Sequence, residues 1–248
     1  MIALGRFAFR FRNLLFPLIL VGVLAISTPR DPLGDPAYDI WMDLAGTLVV
    51  LLGLSVRAIT IGYEYIVRGG RGKQVYADHL VQGGIYAHTR NPMYLGNALI
   101  LLGLALVINA PVFYLLALPL TALMYGSIIA AEEAYLREKF GAGFDDYCAR
   151  VNRLVPRLSG FRRSVEGMRF NWRRVVVKDY STVFASILGI VLLDWWHDYG
   201  IDGTLPWSAD HRAMTVFLAA WGVLFIVVWR LKKSRWIEGD VPDAQRRA

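Results

Sequence analysis

The sequence is poor in the residues that crosslink proteins or bind metal ions. Its 248 residues include one cysteine, Cys148, so no disulfide can form within the chain. Cys148 has no histidine near it in sequence, which disfavours a catalytic thiol. Histidine is also rare, and His79 and His88 lie nine positions apart with no third ligand in view. This spacing does not predict a metal site.

Apolar residues, by contrast, are abundant and form six long stretches. They make up 56% of the chain and give a mean hydropathy of +0.41, well above a typical soluble domain. A helix needs about 20 apolar residues to cross a bilayer, and each stretch is near that length and apolar nearly all round. We therefore interpret as membrane spans residues 13–28, 41–62, 93–109, 111–131, 180–196 and 213–229.

Basic residues are almost absent from alternate connections between these spans. The net charge is +7, yet every Lys and Arg except Arg30, Arg57 and Arg212 lies before span one, between spans two and three, between spans four and five, or after span six. The opposite connections are acidic and carry Asp31, Asp35, Asp39, Asp194, Asp198, Asp202 and Asp210. This segregation is typical of a membrane protein with both termini in the cytoplasm, and it accounts for the basic charge without a nucleic-acid partner. Arg57 falls inside span two, where it can snorkel or pair.

The sequence thus predicts an all-α, polytopic membrane helix bundle with about six transmembrane helices and cytoplasmic N- and C-termini. Spans three and four are joined only by Asn109, Ala110 and Pro111, which forces an antiparallel hairpin. Pro119 should kink span four and open a cleft beside it. The basic and aromatic residues 160–178 form either an interfacial helix or a tethering loop.

Two polar clusters flank the hairpin on its predicted cytoplasmic side. The first lies in residues 79–96 and the second begins at Glu132-Glu133, so the hairpin should return both to one face. Together they suit S-adenosylmethionine, which needs acidic groups, donors for a carboxylate and an apolar slot. The two glutamates supply the acidic groups, and Arg90 and the backbone near Gly84 supply the donors. The slot would be formed by Leu80, Ile85, Tyr86 and Tyr94. Taken singly, each feature also has a simpler interpretation. Arg90 could be an interfacial anchor, the two glutamates could mark the end of a helix, and Gly83-Gly84 could form a turn.

The order of these motifs resembles a known superfamily. The chain has Gly84-Ile85-Tyr86, then Arg90-Asn91-Pro92-Met93-Tyr94-Leu95-Gly96, the hairpin, Glu132-Glu133, and a Phe140-Gly141 segment ending at Pro156. Over about residues 45–158 this is similar to the isoprenylcysteine carboxyl methyltransferases and phospholipid methyltransferases. We accordingly divide the chain into an N-terminal helix and outer loop (1–40), a methyltransferase-like core (41–158, with the hairpin 93–131) and a C-terminal part (159–248) with two further helices.

The resemblance implies an S-adenosylmethionine-dependent methyltransferase with a cytosol-facing donor pocket and a lipid-side acceptor tunnel. Arg90 and Glu132 are the catalytic candidates, and Arg153 would close the pocket. Asn91 stands where the family usually has histidine. It can still donate a hydrogen bond but cannot act as acid or base. The implied donor-binding residues are His79, Leu80, Gly84, Tyr86, Arg90, Asn91, Tyr94, Glu132, Glu133 and Arg153.

The sequence is compatible with several functions. The acceptor could be a phospholipid amine headgroup, which the arginine-rich surface favours, a prenylated cysteine, or a small hydrophobic thiol. An NADPH-dependent enzyme like the sterol reductases is disfavoured, because Glu132 and Glu133 would repel phosphates. A transporter or membrane scaffold would bind no cofactor. We expect membrane lipids and a hydrophobic acceptor as partners, no nucleic acid, and a bacterial inner-membrane location with a cytoplasmic active site; the oligomeric state is open.

Overall fold

The computed structural model describes residues 1–29, 38–63, 77–205, 207–209, 211–234 and 236–237, and no strand forms within those ranges. The all-α, polytopic helix bundle predicted from the sequence is confirmed. A short 3-10 helix (Gly84–Ala87) precedes α3, and a π-helical turn (Phe113–Ala117) precedes α4. The α-helices are α1 (Ile2–Ile26), α2 (Asp39–Tyr63), α3 (Pro92–Ile108), α4 (Leu118–Phe140), α5 (Ala142–Arg150), α6 (Phe161–Ser164), α7 (Trp172–Asp202) and α8 (Arg212–Lys233).

Five of these helices are long and apolar enough to cross a membrane, and α3 is a shorter apolar helix. The five are α1, α2, α4 with its π-helical turn, α7 and α8. The 17 residues of α3 span about 25 Å, slightly less than the hydrocarbon core. No residue of α8 is buried, which suits a helix that faces lipid on most sides. The chain is an integral membrane protein.

The connection between α3 and α4 is as short as the sequence predicts. Asn109 adopts a left-handed conformation (φ +44°) and ends α3, and the helical backbone resumes at Pro111. The π-helical turn lies just before Pro119, whose ring nitrogen cannot donate to the carbonyl of Leu115. The irregular turn therefore has the predicted proline as its physical cause.

Glycines allow α2 and α3 to pack backbone against backbone. A Cβ placed on Gly53 would lie 2.7 Å from the carbonyl oxygen of Gly96, and one on Gly46 would lie 2.6 Å from that of Gly103. Helices in lipid associate through such close contacts, since apolar surface alone gives no advantage over lipid tails. α1 packs against α4 in a similar way at Gly5. Two tight helix pairs result, with α7 against α2 and α3.

This packing makes Gly53→Ala a disruptive substitution. The added methyl group has backbone as its neighbour, which cannot move aside, so we expect a loss of about 1–3 kcal/mol in stability. Thermal unfolding of the purified protein in detergent measures it. Gly22→Ala in α1 is the matched control, because a Cβ there meets nothing within 4 Å. Equal melting temperatures for the two variants would contradict the proposed α2–α3 contact.

The antiparallel helices bring most of the described basic residues to one end of the bundle, and the aspartates at the start of α2 and the end of α7 to the other, where Arg212 is the basic exception. We call these the basic end, where α3 and α7 begin, and the acidic end, where α2 and α8 begin. Arg68, Arg71, Lys73, Asp31, Asp35 and Asp210 contribute to the predicted charge pattern but lie outside the described residues. That the basic end faces the cytoplasm stays a prediction.

The basic segment 160–178 forms neither of the two predicted structures. It divides into the four-residue helix α6, a turn, and the first two turns of α7, which begins at Trp172. The side chain of Asn171 accepts a hydrogen bond from the backbone N–H of Arg174 and so caps α7. The helix is longer than the predicted span 180–196 at both ends, and the cap accounts for its start eight residues earlier.

Candidate active site

A cavity of about 1130 Å³ runs from the basic end into the bundle. It lies between the two helix pairs, and α5 and α7 complete its wall. Its deeper part is apolar, with side chains that include Phe16, Leu20, Leu101 and Leu104. Its outer part is polar and holds the two clusters that flank the hairpin.

Glu133 lies between two arginines at the polar part of this cavity. Arg90 Nη2 is 3.4 Å from Glu133 Oε1, and Arg153 Nε donates to the same oxygen at 3.1 Å. Glu133 is buried, so two cations offset a carboxylate that would otherwise be costly to desolvate. Arg90 Nε is buried as well, and no described group accepts its hydrogen bond. Arg90 therefore keeps one donor for which the chain supplies no acceptor among the described residues.

Glu132 lines the cavity beside this cluster and is held by a tyrosine. The hydroxyl of Tyr94 donates to Glu132 Oε1 at 2.8 Å. Tyr94 projects from the first turn of α3 and Glu132 from the second half of α4, so the hydrogen bond joins the two arms of the hairpin. The hydrogen bond thereby fixes the orientation of the Glu132 carboxyl group in the cavity wall.

The segment after α5 lies alongside the residues that precede α3. The backbone N–H of Arg90 donates to the carbonyl of Asn152 at 2.9 Å. The backbone N–H of Arg157 donates to the backbone carbonyl of His88 at 3.0 Å. Asn91 Nδ2 donates to the carbonyl of Arg153 at 3.0 Å. The asparagine at the family's histidine position thus holds the segment that carries Arg153 against the cavity mouth.

Tyr147 fastens α5 to the same region. Its hydroxyl donates to the carbonyl of Tyr86 at 2.7 Å, and its ring packs with Phe144 and Val151. Burial raises the pKa of the Tyr147 hydroxyl, so it stays protonated and donating across the physiological range. Phe144 and Tyr147 also line the cavity and give it an aromatic wall.

The cavity brings together eight of the ten predicted binding residues. Arg153 does not line it but reaches it through Glu133. Gly84 lies outside the lining in a buried turn with φ +54°, next to Met168. Its position shows a conformational reason for glycine, because L side chains rarely adopt this φ. The eight lining residues are His79, Leu80, Tyr86, Arg90, Asn91, Tyr94, Glu132 and Glu133.

A deeper polar cluster in the cavity wall was not predicted. Arg57 of α2 pairs with Asp179 of α7, with Arg57 Nε 3.0 Å from Asp179 Oδ2. Arg57 also donates to Asn97 of α3, and to Thr182 Oγ1 at 3.0 Å. Arg57, Asn97 and Thr182 line the cavity. The one signal in the sequence was an arginine inside an apolar stretch; its partner, 122 positions away, could not be inferred from spacing.

These features define a polytopic membrane protein with paired carboxylates and arginines at the mouth of an intramembrane cavity. The phospholipid methyltransferase family matches residues 42–143, the part of the chain that builds most of the cavity. The nickel-cobalt-cadmium resistance protein NccN of Alcaligenes xylosoxydans xylosoxydans is 34% identical over 125 residues, which are 50% of this chain and 56% of that protein. The cobalt-zinc-cadmium resistance protein CzcN of Cupriavidus metallidurans is 30% identical over 162 residues, which are 64% of this chain and 70% of that protein.

The chain belongs to the phospholipid methyltransferase family of integral membrane methyltransferases. The resemblance inferred from the motifs is confirmed. No solved structure shows a significant match to the chain. The family match ends at residue 143, so Arg153, α7 and α8 lie outside it, although α7 contributes to the cavity.

Proposed function

We propose that this chain transfers a methyl group from S-adenosylmethionine to a lipid-like acceptor. The observation that carries the proposal is the meeting of Arg90, Glu132 and Glu133 at one cavity, with Arg90 Nε buried and lacking an acceptor among the described residues. When bound, S-adenosylmethionine supplies a methyl group activated by a positively charged sulfur. The donor also carries a carboxylate, an ammonium and an adenine, and the lining residues match each of them.

The roles of the chain's residues follow from their charges and positions. The guanidinium group of Arg90, which lines the cavity, would bind the carboxylate of the methyl donor. Glu132 would stabilise its positive groups, and Tyr94 fixes the orientation of that glutamate. Leu80, Phe144 and Tyr147 would contact the adenine. Arg153 and its segment would cover the bound donor and exclude water, which favours transfer between positioned reactants.

The acceptor would enter from the apolar part of the cavity. That part is lined by α1 and α3 side chains and reaches the Arg57 cluster, so an acyl or prenyl chain could lie there with its reactive group toward Glu132. We propose a phospholipid amine headgroup as acceptor, in the bacterial inner membrane with the basic end in the cytoplasm. The basic residues at this end attract anionic lipid surfaces.

The names of the two relatives assign them to resistance against nickel, cobalt, cadmium and zinc. As part of this proposal, we infer that methyl transfer by this chain contributes to resistance against such metal ions. The modified lipid would change the surface that such cations meet, since a quaternary amine keeps its positive charge at every pH.

Labelling of membranes tests the acceptor. Membranes from cells that express the chain are incubated with methyl-radiolabelled S-adenosylmethionine, and lipids are extracted. We expect label in a phospholipid, and none above background in membranes with Arg90→Ala at equal expression. Label found only in water-soluble thiols would contradict the phospholipid acceptor, and label independent of Arg90 would contradict the site.

A further inference from the structure

A second cluster of chemically active side chains lies at the acidic end, on the opposite side of the bundle from the cavity mouth. It joins the last turns of α7 to the start of α8 and to the first turns of α2. The cluster is built from two buried histidines and four aspartates, namely Asp39, Asp43, Asp194, His197, Asp198 and His211. The methyl-transfer proposal uses none of these residues.

We infer that this end binds a divalent transition-metal ion through Asp194, Asp198 and His211. Each of the three offers a ligand atom, and these atoms lie within 4.8 Å of one another. Asp194 and Asp198 are four residues apart on α7, so they project from the same face of that helix. His211 comes from the residue before α8 and closes the third side.

The two ring nitrogens of His211 have contacts that suit a metal ligand. His211 Nδ1 lies 3.2 Å from the carbonyl oxygen of Leu205, which can only accept, so Nδ1 carries a proton. In the neutral ring, Nε2 then carries a lone pair and no proton. This nitrogen lies 2.7 Å from Asp198 Oδ2. Two acceptors face each other at this distance only with a proton, held by either group, or a metal ion between them. A carbonyl that fixes the tautomer is the usual outer support of a metal-bound histidine.

Asp194 provides an independent indication. Its Oδ2 is buried and has no hydrogen-bond partner among the described residues. Its carboxyl group also shares a hydrogen bond with Asp43, in which Asp43 is the protonated donor and Asp194 the acceptor, so Asp194 keeps the negative charge of the pair. An unpartnered carboxylate oxygen is costly to bury, and a bound cation offsets that cost.

Asp198 links this site to the second histidine. While Oδ2 faces His211, Oδ1 lies 3.7 Å from His197 Nδ1, which in turn is 3.6 Å from Asp39 Oδ2. These distances are longer than hydrogen bonds, so His197 lies between the carboxyl groups of Asp198 and Asp39 as a nearby ring and not as a hydrogen-bond donor that orients Asp198.

The ligand chemistry selects the type of ion. Imidazole with carboxylates suits Zn²⁺, Co²⁺ or Ni²⁺, whereas Mg²⁺ and Ca²⁺ prefer sites made of oxygen alone. Zn²⁺ and Co²⁺ are therefore the probe ions for this site. The metal site is separate from the cavity proposed for methyl transfer. The length of the helices places it roughly 25 Å from Arg57 along the bundle axis. Failure of either proposal leaves the other untouched.

Metal titration of the purified full-length protein tests the inference. After treatment with a chelator, Zn²⁺ is added in competition with a chromophoric chelator, and we expect one ion bound per chain, with Mg²⁺ unable to compete. His211→Gln and the isosteric Asp194→Asn should each weaken binding at least about tenfold. His79→Gln removes an imidazole at the basic end and serves as the matched control, with binding unchanged.

Co²⁺ gives a second readout that needs no variant. Bound by a histidine and carboxylates, it should show a visible absorption spectrum distinct from that of aqueous Co²⁺, and Zn²⁺ should displace it. Absence of stoichiometric Zn²⁺ binding, an aqueous Co²⁺ spectrum, or binding that survives in both His211→Gln and Asp194→Asn would overturn the inference. The last two results would identify the cation between His211 and Asp198 as a proton.

Discussion

Asp179→Ala is expected to destabilise the protein by about 3–5 kcal/mol, because it leaves the charge of Arg57 buried without its carboxylate. The two side chains of this pair are only 6% and 1% exposed, so the remaining guanidinium group would stay largely out of water. Asn97 and Thr182 offer neutral oxygens, which do not offset the charge. Unfolding of the purified protein in mixed micelles measures the change.

Two further variants separate burial from charge pairing as the cause. Asp145→Ala breaks the Arg137–Asp145 pair, whose side chains are both 55% exposed, and should cost less than about 1 kcal/mol. The double variant Arg57→Met/Asp179→Leu removes both buried charges and should recover most of the stability lost in Asp179→Ala. A double variant as unstable as the single one would show that an unpaired buried charge does not cause the loss.

Glu132→Gln is expected to weaken binding of S-adenosylhomocysteine or S-adenosylmethionine by about 10–100-fold. The substitution keeps the size of the side chain and removes the negative charge, and a hydrogen bond to a charged group contributes about 1.5–3 kcal/mol. The loss should be greater for S-adenosylmethionine, which carries the positive sulfur. Calorimetric titration of the purified protein with each ligand measures both affinities.

Glu138→Gln is the matched control for this experiment. Glu138 lies on the same helix, six positions further along, but is exposed and does not line the cavity. Its substitution should leave both affinities unchanged. Tyr94→Phe should give an intermediate loss, since it frees Glu132 without removing its charge. Equal binding by Glu132→Gln and the unmodified protein would remove Glu132 from the donor site.

The helix bundle and the hairpin could be predicted because both depend on local patterns. Apolar length determines whether a helix can span, and the connection at Asn109 and Ala110 is too short for anything but an antiparallel pair. The hairpin then returns Arg90 and Glu133 to the same face, where the structure has them 3.4 Å apart. Two motifs separated by more than forty residues thus became one site by elementary geometry.

The contacts between distant helices could not be predicted in the same way. Asp179 was assigned to a basic connecting segment, because hydropathy alone begins the fifth span after it. Its pairing with Arg57 depends on how α7 packs against α2. Likewise, the spacing of His79 and His88 gave no metal site, whereas His211 and Asp194 meet only because α8 returns beside the end of α7.

The affinity of the cavity for a methyl donor is the most direct test of the account. Thermal unfolding of the purified protein is measured with S-adenosylhomocysteine or with NADPH at about 100 times the dissociation constant measured for S-adenosylhomocysteine. We expect stabilisation by S-adenosylhomocysteine of about 2.7 kcal/mol, seen as a rise of about 5 °C or more in Tm, and no shift with NADPH. Stabilisation by NADPH without any response to S-adenosylhomocysteine would contradict it.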